Sequence, residues 1–307
     1  MKYGVRLPHF RHIAADVQRV GQSIRTVAKA AEDLGFHSVW VADHVVVPAD
    51  PTSKYGSVWT EALTTLSFAA GCTDRVRLGT SILVAPYRHP LLAAKMLASL
   101  DALSAGRLDL GLAVGHLESE FEALGLDTFA KRGQITDEYI QAMKMLWSGE
   151  GTRYDGELIQ VDIEKFYFEP RPLQQPMPLW IGGNSNRAAR RLAEHGDYWQ
   201  LVRPTVAQVA DRSAELTRQC DKIGRDRSNV SVAVEHPMQI AAAPSVEELP
   251  LIGPVEHIIE QIRAYADLGA VHLTMDLFYG SDNTQQVDLA GVLTGMERFA
   301  TEVMPHV

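Results

Sequence analysis

Cysteine and long apolar runs are both scarce in this chain of 307 residues. The two cysteines, Cys72 and Cys220, lie far apart and form no CxxC pair, so neither a disulfide framework nor a zinc site is indicated. No stretch of 18 consecutive apolar residues occurs, and the opening MKYGVRLPHF lacks the apolar run of a signal peptide. We therefore expect a cytoplasmic protein that has no membrane partner.

Positive charge is also in deficit, because 29 Lys and Arg residues face 38 Asp and Glu residues and the formal net charge is -9. A surface of this sign argues against nucleic acid or an anionic membrane as the main partner. The hydrophobic fraction of 46% is ordinary for a globular protein. Since no linker or low-complexity segment divides the chain, we predict a single domain over residues 1–307.

What the sequence does contain is a regular alternation of short apolar runs and longer amphipathic stretches. Strands are predicted in eight runs that begin near residues 3, 38, 75, 107, 178, 198, 230 and 271. Helices are predicted near residues 23–34, 59–70, 90–103, 136–147, 186–195, 206–223, 255–268 and 289–303. Apolar strands joined by helices predict a parallel sheet. An open doubly wound sheet usually has fewer repeats and a glycine-rich turn after its first strand, so the count favours an α/β fold of the (β/α)8 TIM-barrel type.

Residues 149–178 interrupt this alternation just before the fifth strand. Their sequence, GEGTRYDGELIQVDIEKFYFEPRPLQQPMP, has alternating and aromatic residues followed by four prolines. We interpret it as an insertion that contains a β-hairpin and an extended return.

Polar residues cluster where the predicted strands end, which is the edge that carries the active site in a TIM barrel. They are Asp43, His44, Ser81, Gly115, His116, Glu118, the segment Gly182-Gly183-Asn184-Ser185, Glu235, His236 and Asp276. His44 could exchange protons or bond a ring cofactor, or it could be a loop histidine without chemistry. Asp43 could orient His44 or cap the next turn. Glu118 could approach a ligand or belong to the solvated first turn of a helix. The spacing of His and Asp does not suggest a metal site.

The segment Gly182-Gly183-Asn184-Ser185 follows a strand and opens a helix. Glycines let backbone approach a ligand, and free N–H groups at a helix start attract phosphate, but Asn and Ser also cap helices in any protein. The two interpretations stay equally open from the residues alone. Arg187, Arg190 and Arg191 could add positive potential or form a solvated helix face.

Five segments, taken in order, resemble the luciferase-like monooxygenase family, and most closely its branch of coenzyme F420-dependent oxidoreductases. They are GFHSVWVADHVVVP, RVRLGTSILVAPYRHP, LSAGRLDLGLAVGHLESEFEALG, RGQITDEYIQAMKMLW and FEPRPLQQPMPLWIGG. The resemblance covers nearly the whole chain. It implies an eight-fold barrel that binds a flavin or deazaflavin, and a homodimer in which residues 59–70 and 90–103 are candidate interface elements.

The resemblance also implies roles for individual residues. Asp43 and His44 match a pair at the reactive face of the cofactor ring, and His44 matches the residue that exchanges protons with the substrate or polarises it. Ser81-Ile82 matches a non-proline cis peptide that supports the ring from behind. Glu118 matches an acid of sugar-phosphate-oxidising members, and Gly182 to Ser185 match the phosphate-binding segment. Gly115 and His116 belong to the pocket wall, where many relatives have an aromatic residue in place of His116.

Three functional hypotheses follow. The first is hydride transfer between coenzyme F420 and a small organic substrate. The second is an FMN-dependent monooxygenase that uses reduced FMN and O2 on the same fold. The third is a catalytically silent barrel that binds a flavin-like ligand. The identity of the substrate and the direction of transfer stay open.

Overall fold

The computed structural model describes residues 1–10, 19–49, 58–278 and 289–307. The strands within these ranges are β1 Lys2–Arg6, β2 Ser38–Val41, β3 Arg77–Thr80, β4 Leu83–Val84, β5 Leu108–Ala113, β6 Arg153–Asp155, β7 Gln160–Asp162, β8 Leu179–Gly182, β9 Tyr198–Val202, β10 Ser231–Pro237, β11 Gln239–Ile240, β12 Ile252–Gly253 and β13 Ala270–Asp276. The α-helices are α1 Val20–Asp33, α2 Ala62–Ala70, α3 Pro90–Leu103, α4 Glu118–Ala123, α5 Arg132–Ser148, α6 Asn186–His195, α7 Val206–Ile223, α8 Val255–Asp267 and α9 Leu289–Arg298.

Eight of these strands form a closed parallel barrel, which confirms the predicted fold. The order around the barrel is β1, β2, β3, β5, β8, β9, β10 and β13, and β13 pairs with β1 to close it. The seam between β3 and β5 is short, and β4 continues the pairing with β5 beyond a break at Ser81 and Ile82. The peptide bond between these two residues is cis, as the resemblance implied.

Most helices begin and end close to the predicted residues, because capping residues mark their ends in the sequence. Helix α3 begins at Pro90, which needs no hydrogen-bond acceptor at this position, and α7 begins with a capping box between Thr205 and Gln208. Helix α2 begins later than predicted, because the side chain of Glu61 accepts a hydrogen bond from the N–H of Thr64 and so caps the helix there. Helices α1 and α5 begin earlier than predicted, and α9 continues from Phe299 to Val303 as a wider π-helical turn.

The barrel interior is filled by an aromatic layer around Trp40. The indole ring of Trp40 lies edge-on to Trp180 at 4.9 Å and to His272 at 5.4 Å. A Cβ atom on Gly79 would lie 2.1 Å from the Trp40 ring, so the glycine leaves room for the indole. The Trp40 Nε1–H donates to Ser38 Oγ at 2.8 Å, which satisfies the buried polar end of the ring. This layer makes the middle of the barrel a packed core, as is usual for the fold.

The insertion contains the predicted hairpin, in which β6 and β7 pair antiparallel. Its proline-rich return runs against α3, where Lys95 donates to the carbonyl of Glu169 and Gln174 Nε2 donates to Asp101 at 2.7 Å. None of the helices in the described ranges is both long and apolar enough to cross a membrane.

Candidate active site

The carboxyl ends of the barrel strands surround a cavity of about 920 Å³, within the usual size range of ligand pockets. Most of the residues selected from the sequence line it, namely Asp43, His44, Ser81, Ile82, Gly115, His116, Gly182, Gly183, Ser185, Glu235 and Asp276. Glu118 is exposed at the start of α4 and does not belong to the lining, nor does Asn184. The acid role of Glu118 stays a prediction. Within the described ranges, no group of three or more His, Cys, Asp or Glu side chains is placed to hold a metal ion.

His44 is bonded to a buried carboxylate from α4. Its Nδ1 lies 2.9 Å from Glu120 Oε2, and the hydroxyl of Tyr87 donates to the same oxygen at 2.7 Å. The other oxygen, Oε1, accepts the N–H groups of Val45 at 2.6 Å and Val46 at 3.2 Å. Glu120 is 1% exposed, so these contacts replace water around its carboxylate. The loop after β2 is thereby tied to α4.

The pKa shifts of this cluster follow from these contacts. Burial alone would raise the pKa of Glu120, but the hydrogen bonds from His44, Tyr87 and the N–H of Val45 bring it below its ordinary value of 4.5. Burial, and then the hydrogen bond to Glu120, raises the pKa of Tyr87 well above its usual range. At neutral pH Glu120 is therefore an ionised acceptor and Tyr87 a neutral donor.

Asp43 lines the cavity, but both oxygens of its carboxylate bind framework groups. Arg88 donates to Asp43 Oδ2 at 2.7 Å and to Oδ1 at 2.8 Å, and the N–H of Val84 donates to Oδ2 at 2.9 Å. Arg88 also donates to Glu61 Oε1 at 2.6 Å. Burial would lower the pKa of Arg88, yet its bonds to Asp43 and Glu61 raise it overall. Asp43 therefore anchors β4 and the segment that precedes α3 to the end of β2.

Aromatic rings cover the side of the cavity next to His44. Trp59 lies edge-on to His44, with ring centroids 4.6 Å apart, and Phe10 stacks on Trp59 at 4.8 Å. His116 is 5.8 Å from His44 on another side. Beneath them His9 accepts the N–H of Ala42 at 2.9 Å, and burial lowers the pKa of His9 to about 3. His9 is thus a neutral structural residue that joins the ends of β1 and β2.

The floor of the cavity is a buried polar network. Arg6 forms an ion pair of 2.6 Å with Glu235, and Ser81 Oγ donates to the same carboxylate. Gln200 Nε2 donates to Ser81 Oγ at 2.9 Å and to Glu235 Oε2 at 3.2 Å. The network fixes Ser81 from three strands, so the cis peptide is held against the interior of the barrel.

The segment predicted to hold phosphate divides into two parts in the structure. Gly183 has φ of +106° and lines the cavity together with Ser185, whose side chain caps α6 by accepting the N–H of Ala188 at 3.2 Å. Asn184 turns away and bonds both the N–H and the carbonyl of Val202, at 2.9 Å and 2.7 Å. Asn184 therefore links the ends of β8 and β9.

The cavity is more basic than the rest of the molecule. Among the described residues, five arginines and three carboxylates line it, namely Arg6, Arg132, Arg187, Arg191, Arg203, Asp43, Glu235 and Asp276. Arg191 is buried and bonded to Asp137, whereas Arg187 is exposed at the first turn of α6. Arg190, the third arginine of this helix, is outside the lining and bonds Asp137 at 2.6 Å. The lining therefore carries a formal excess of positive charge, whereas the whole chain has a net charge of -9.

Sequence reasoning did not select Glu120 or Tyr87. One signal was present for Glu120, because Leu117, Phe121 and Leu124 form an apolar stripe with helical spacing and Glu120 lies on the same face. A carboxylate on the buried face of a helix needs partners, and this marks it as unusual. Tyr87 carries no comparable signal.

A family model described as luciferase-like monooxygenase matches residues 1–248. The chain belongs to this family. This finding confirms the resemblance inferred from the five segments, and with it an oxidoreductase family whose members use either coenzyme F420 or a flavin.

Curated relatives of both kinds are similar to this chain. An uncharacterized protein of Mycobacterium tuberculosis is 33% identical over 185 residues, or 56% of this chain and 62% of that relative, so the match spans less than two thirds of its length. An F420-dependent glucose-6-phosphate dehydrogenase of Amycolatopsis mediterranei is 25% identical over 91% of this chain and 92% of its own length. The oxygenase component of a flavin-dependent trigonelline monooxygenase of Acinetobacter baylyi is 31% identical over 62% of this chain and 49% of its own length.

Solved structures share the fold. A monooxygenase from Streptomyces bottropensis matches with a TM-score of 0.81 at 22% identity, covering 100% of this chain and 99% of the other. An F420-dependent secondary alcohol dehydrogenase, solved in complex with an F420–acetone adduct, also matches with a TM-score of 0.81, at 19% identity over 100% of this chain and 98% of the other.

Proposed function

We propose that this protein transfers a hydride between coenzyme F420 and a small organic substrate, and that His44 exchanges the accompanying proton. The observation that carries the proposal is one cavity with His44 on one wall and the N-terminus of α6 with Arg187 on another. Such a cavity can hold a phosphate-bearing ring cofactor and a substrate side by side. The fold alone would be compatible with many other activities.

The residues at the α6 side fit the phosphate of such a cofactor. A Cβ atom on Gly182 would lie 2.5 Å from Ile82 Cδ1, so the glycine allows β8 to approach the cis peptide. The N–H of Ala188 is bonded to Ser185, whereas those of Asn186 and Arg187, at the first two positions of α6, have no acceptor within the helix. Arg187 adds a cation beside them. Backbone donors, a helix dipole and a guanidinium together suit a phosphate group.

One observation favours coenzyme F420 over FMN. Five arginines and three carboxylates among the described residues line the cavity, and a cofactor with a phosphate and an acidic polyglutamate tail makes use of more cations than FMN does.

When bound, the deazaflavin supplies the carbon that accepts or donates a hydride. For an alcohol substrate, His44 takes the hydroxyl proton as the hydride leaves and returns it in the opposite direction, so that charge and atoms balance. Trp59 and Phe10 exclude water from the side next to His44. Ser81, fixed by Glu235 and Gln200, keeps the floor of the cavity rigid.

The proposal is tested by fluorescence titration of the cofactor-free protein with coenzyme F420 and, separately, with FMN. We expect tight binding of F420 and weak binding of FMN. Arg187→Ala should weaken F420 binding about tenfold, the usual contribution of a charge-assisted hydrogen bond. Arg153→Ala is the matched control, because this exposed arginine lies on the hairpin of the insertion. Unchanged F420 affinity in Arg187→Ala would contradict the placement of the phosphate.

An FMN-dependent monooxygenase is the second candidate, and it is supported by the similarity to the trigonelline monooxygenase component. Tight binding of FMN with O2 uptake after flavin reduction would favour it over F420. Tight binding of either cofactor without turnover on a broad panel of alcohols, enones and imines would favour the catalytically silent barrel.

A further inference from the structure

The contact between His44 and Glu120 determines which ring nitrogen of His44 carries the proton. Glu120 is ionised, so neither of its oxygens can donate a hydrogen bond. The Nδ1 atom of His44 is 2.9 Å from Glu120 Oε2, and the pair is a hydrogen bond only if Nδ1 is the donor. A neutral imidazole that carries its hydrogen on Nδ1 has its lone pair on Nε2.

We propose that Glu120 is the positioning residue of the site, which fixes the hydrogen of His44 on Nδ1 and so makes Nε2 the nitrogen that exchanges protons. The assignment of the tautomer follows from the protein's own contacts. Its consequence for turnover rests on the proposed function. Sequence adjacency had suggested Asp43 for this positioning role, but both oxygens of the Asp43 carboxylate bind Arg88.

The carboxylate of Glu120 is itself held from three directions. The N–H groups of Val45 and Val46 donate to Oε1, and the hydroxyl of Tyr87 donates to Oε2. Tyr87 keeps its proton at neutral pH, because burial raises its pKa. Oε2 is therefore aimed at His44 by groups other than the imidazole itself. This is the arrangement expected of an orienting carboxylate, which stays ionised while the imidazole gains and loses a proton.

The same contacts make Glu120→Gln a sharp test. The N–H groups of Val45 and Val46 require an acceptor, so the amide oxygen of the new side chain takes the place of Oε1. The amide nitrogen then takes the place of Oε2 and faces His44 Nδ1 as a donor. A donor facing Nδ1 stabilises the opposite tautomer, with hydrogen on Nε2. A change of one atom should therefore invert the tautomer of His44.

The tautomer is read directly by long-range ¹H–¹⁵N correlation spectra of the cofactor-free chain of 307 residues. Selective ¹⁵N labelling limits the spectrum to the 11 histidines, and the signals of His44 are those lost in His44→Gln. At mildly alkaline pH we expect a protonated Nδ1 and an unprotonated Nε2 in the unmodified protein, and the reverse in Glu120→Gln. Tyr87→Phe keeps the carboxylate and should keep the original pattern. Glu122→Gln is the matched control, because Glu122 is exposed on the same helix.

The unmodified protein alone can overturn the inference, since a hydrogen found on His44 Nε2 contradicts it even if no variant folds. An unchanged tautomer in a folded Glu120→Gln also contradicts it. In turnover with F420 we expect Glu120→Gln to lower kcat by roughly 10²–10⁴-fold, the usual share of a general acid or base. Its F420 affinity should stay within about threefold, because Glu120 is not part of the cavity lining. An inverted tautomer with unchanged kcat would refute the proton role of His44, and so the proposed function, while the tautomer assignment would stand.

Discussion

Replacement of Asp43 by Ala tests whether this residue stabilises the fold or takes part in catalysis. The Asp43 side chain is fully buried, and Arg88, whose side chain is 10% exposed, donates to both of its oxygens. Removing one partner of a buried ion pair typically costs about 3–5 kcal/mol, because the other charge loses its compensation. Arg88 keeps a second partner in Glu61, which places the loss near the lower limit, about 3 kcal/mol. The N–H of Val84 also loses its acceptor, which adds about 1 kcal/mol.

The total loss of about 4 kcal/mol can be converted to a shift in Tm. At about 2.1 cal/mol/K per residue, the unfolding entropy of 307 residues is roughly 0.64 kcal/mol/K. Asp43→Ala should therefore lower the Tm by about 6 °C, as measured by calorimetry or by circular dichroism.

The double variant Asp43→Ala/Arg88→Met completes a thermodynamic cycle. It removes both charges, so we expect it to recover part of the loss and to show a coupling energy of about 1–3 kcal/mol. A Tm drop below about 2 °C for Asp43→Ala, or strictly additive losses in the cycle, would refute the view that this ion pair is a structural anchor. Loss of turnover with an unchanged Tm would instead support the catalytic role that the sequence suggested for Asp43.

Two further predictions concern stability. Burial lowers the pKa of His9 to about 3, that of His236 to about 4 and that of His272 well below 6.5, so these residues take up protons mainly on unfolding. The free energy of unfolding should be at its maximum above pH 6.5 and should fall by up to about 1.4 kcal/mol per pH unit for each histidine as the pH decreases toward 4. Urea unfolding at several pH values measures this, and a free energy that does not change with pH would contradict the prediction. In the same assay, Gly115→Ala should lower the free energy of unfolding by about 1–3 kcal/mol more than Gly125→Ala. Both glycines have positive φ, but only at Gly115 would a Cβ atom contact Phe121, at 2.8 Å. Equal losses of stability in the two variants would argue against this clash.

The fold could be predicted because the sequence features that specify its strands and helices lie within each element. Each barrel strand is a short buried run, and the helices between them carry recognisable ends, such as Pro90 at the start of α3 and Gly224 with φ of +67° after α7. The eight-fold alternation then leaves few alternatives to a closed barrel. Two of the helix starts that were predicted wrongly, those of α2 and α5, depend on a side-chain cap and on an adjoining short 3₁₀ turn rather than on apolar periodicity.

The partners within the site could not be predicted, because they are distant in the sequence. His44 and Glu120 are 76 positions apart, and Asp43 and Arg88 are 45 apart. In neither pair does one residue identify its partner from the sequence, because the two come together only when the strands close into a barrel. Asn184 shows the same limit, because an asparagine beside two glycines is equally suited to a cap, to a phosphate and to the bonds that it makes with Val202.

The adjacent residues Asp43 and His44 lie at the same barrel edge but bind different parts of the molecule. Both follow β2 and line the cavity, yet the Asp43 carboxylate binds Arg88 and the N–H of Val84, whereas the His44 ring bonds Glu120 of α4. A carboxylate held by a guanidinium is a poor orienting group for an imidazole, since its lone pairs are already used. The carboxylate of Glu120, which is supported by neutral donors, can orient the imidazole of His44 instead. Asp43 therefore fixes the frame of the loop after β2, and the proposed role of Glu120 is to place the proton on His44, which that loop carries.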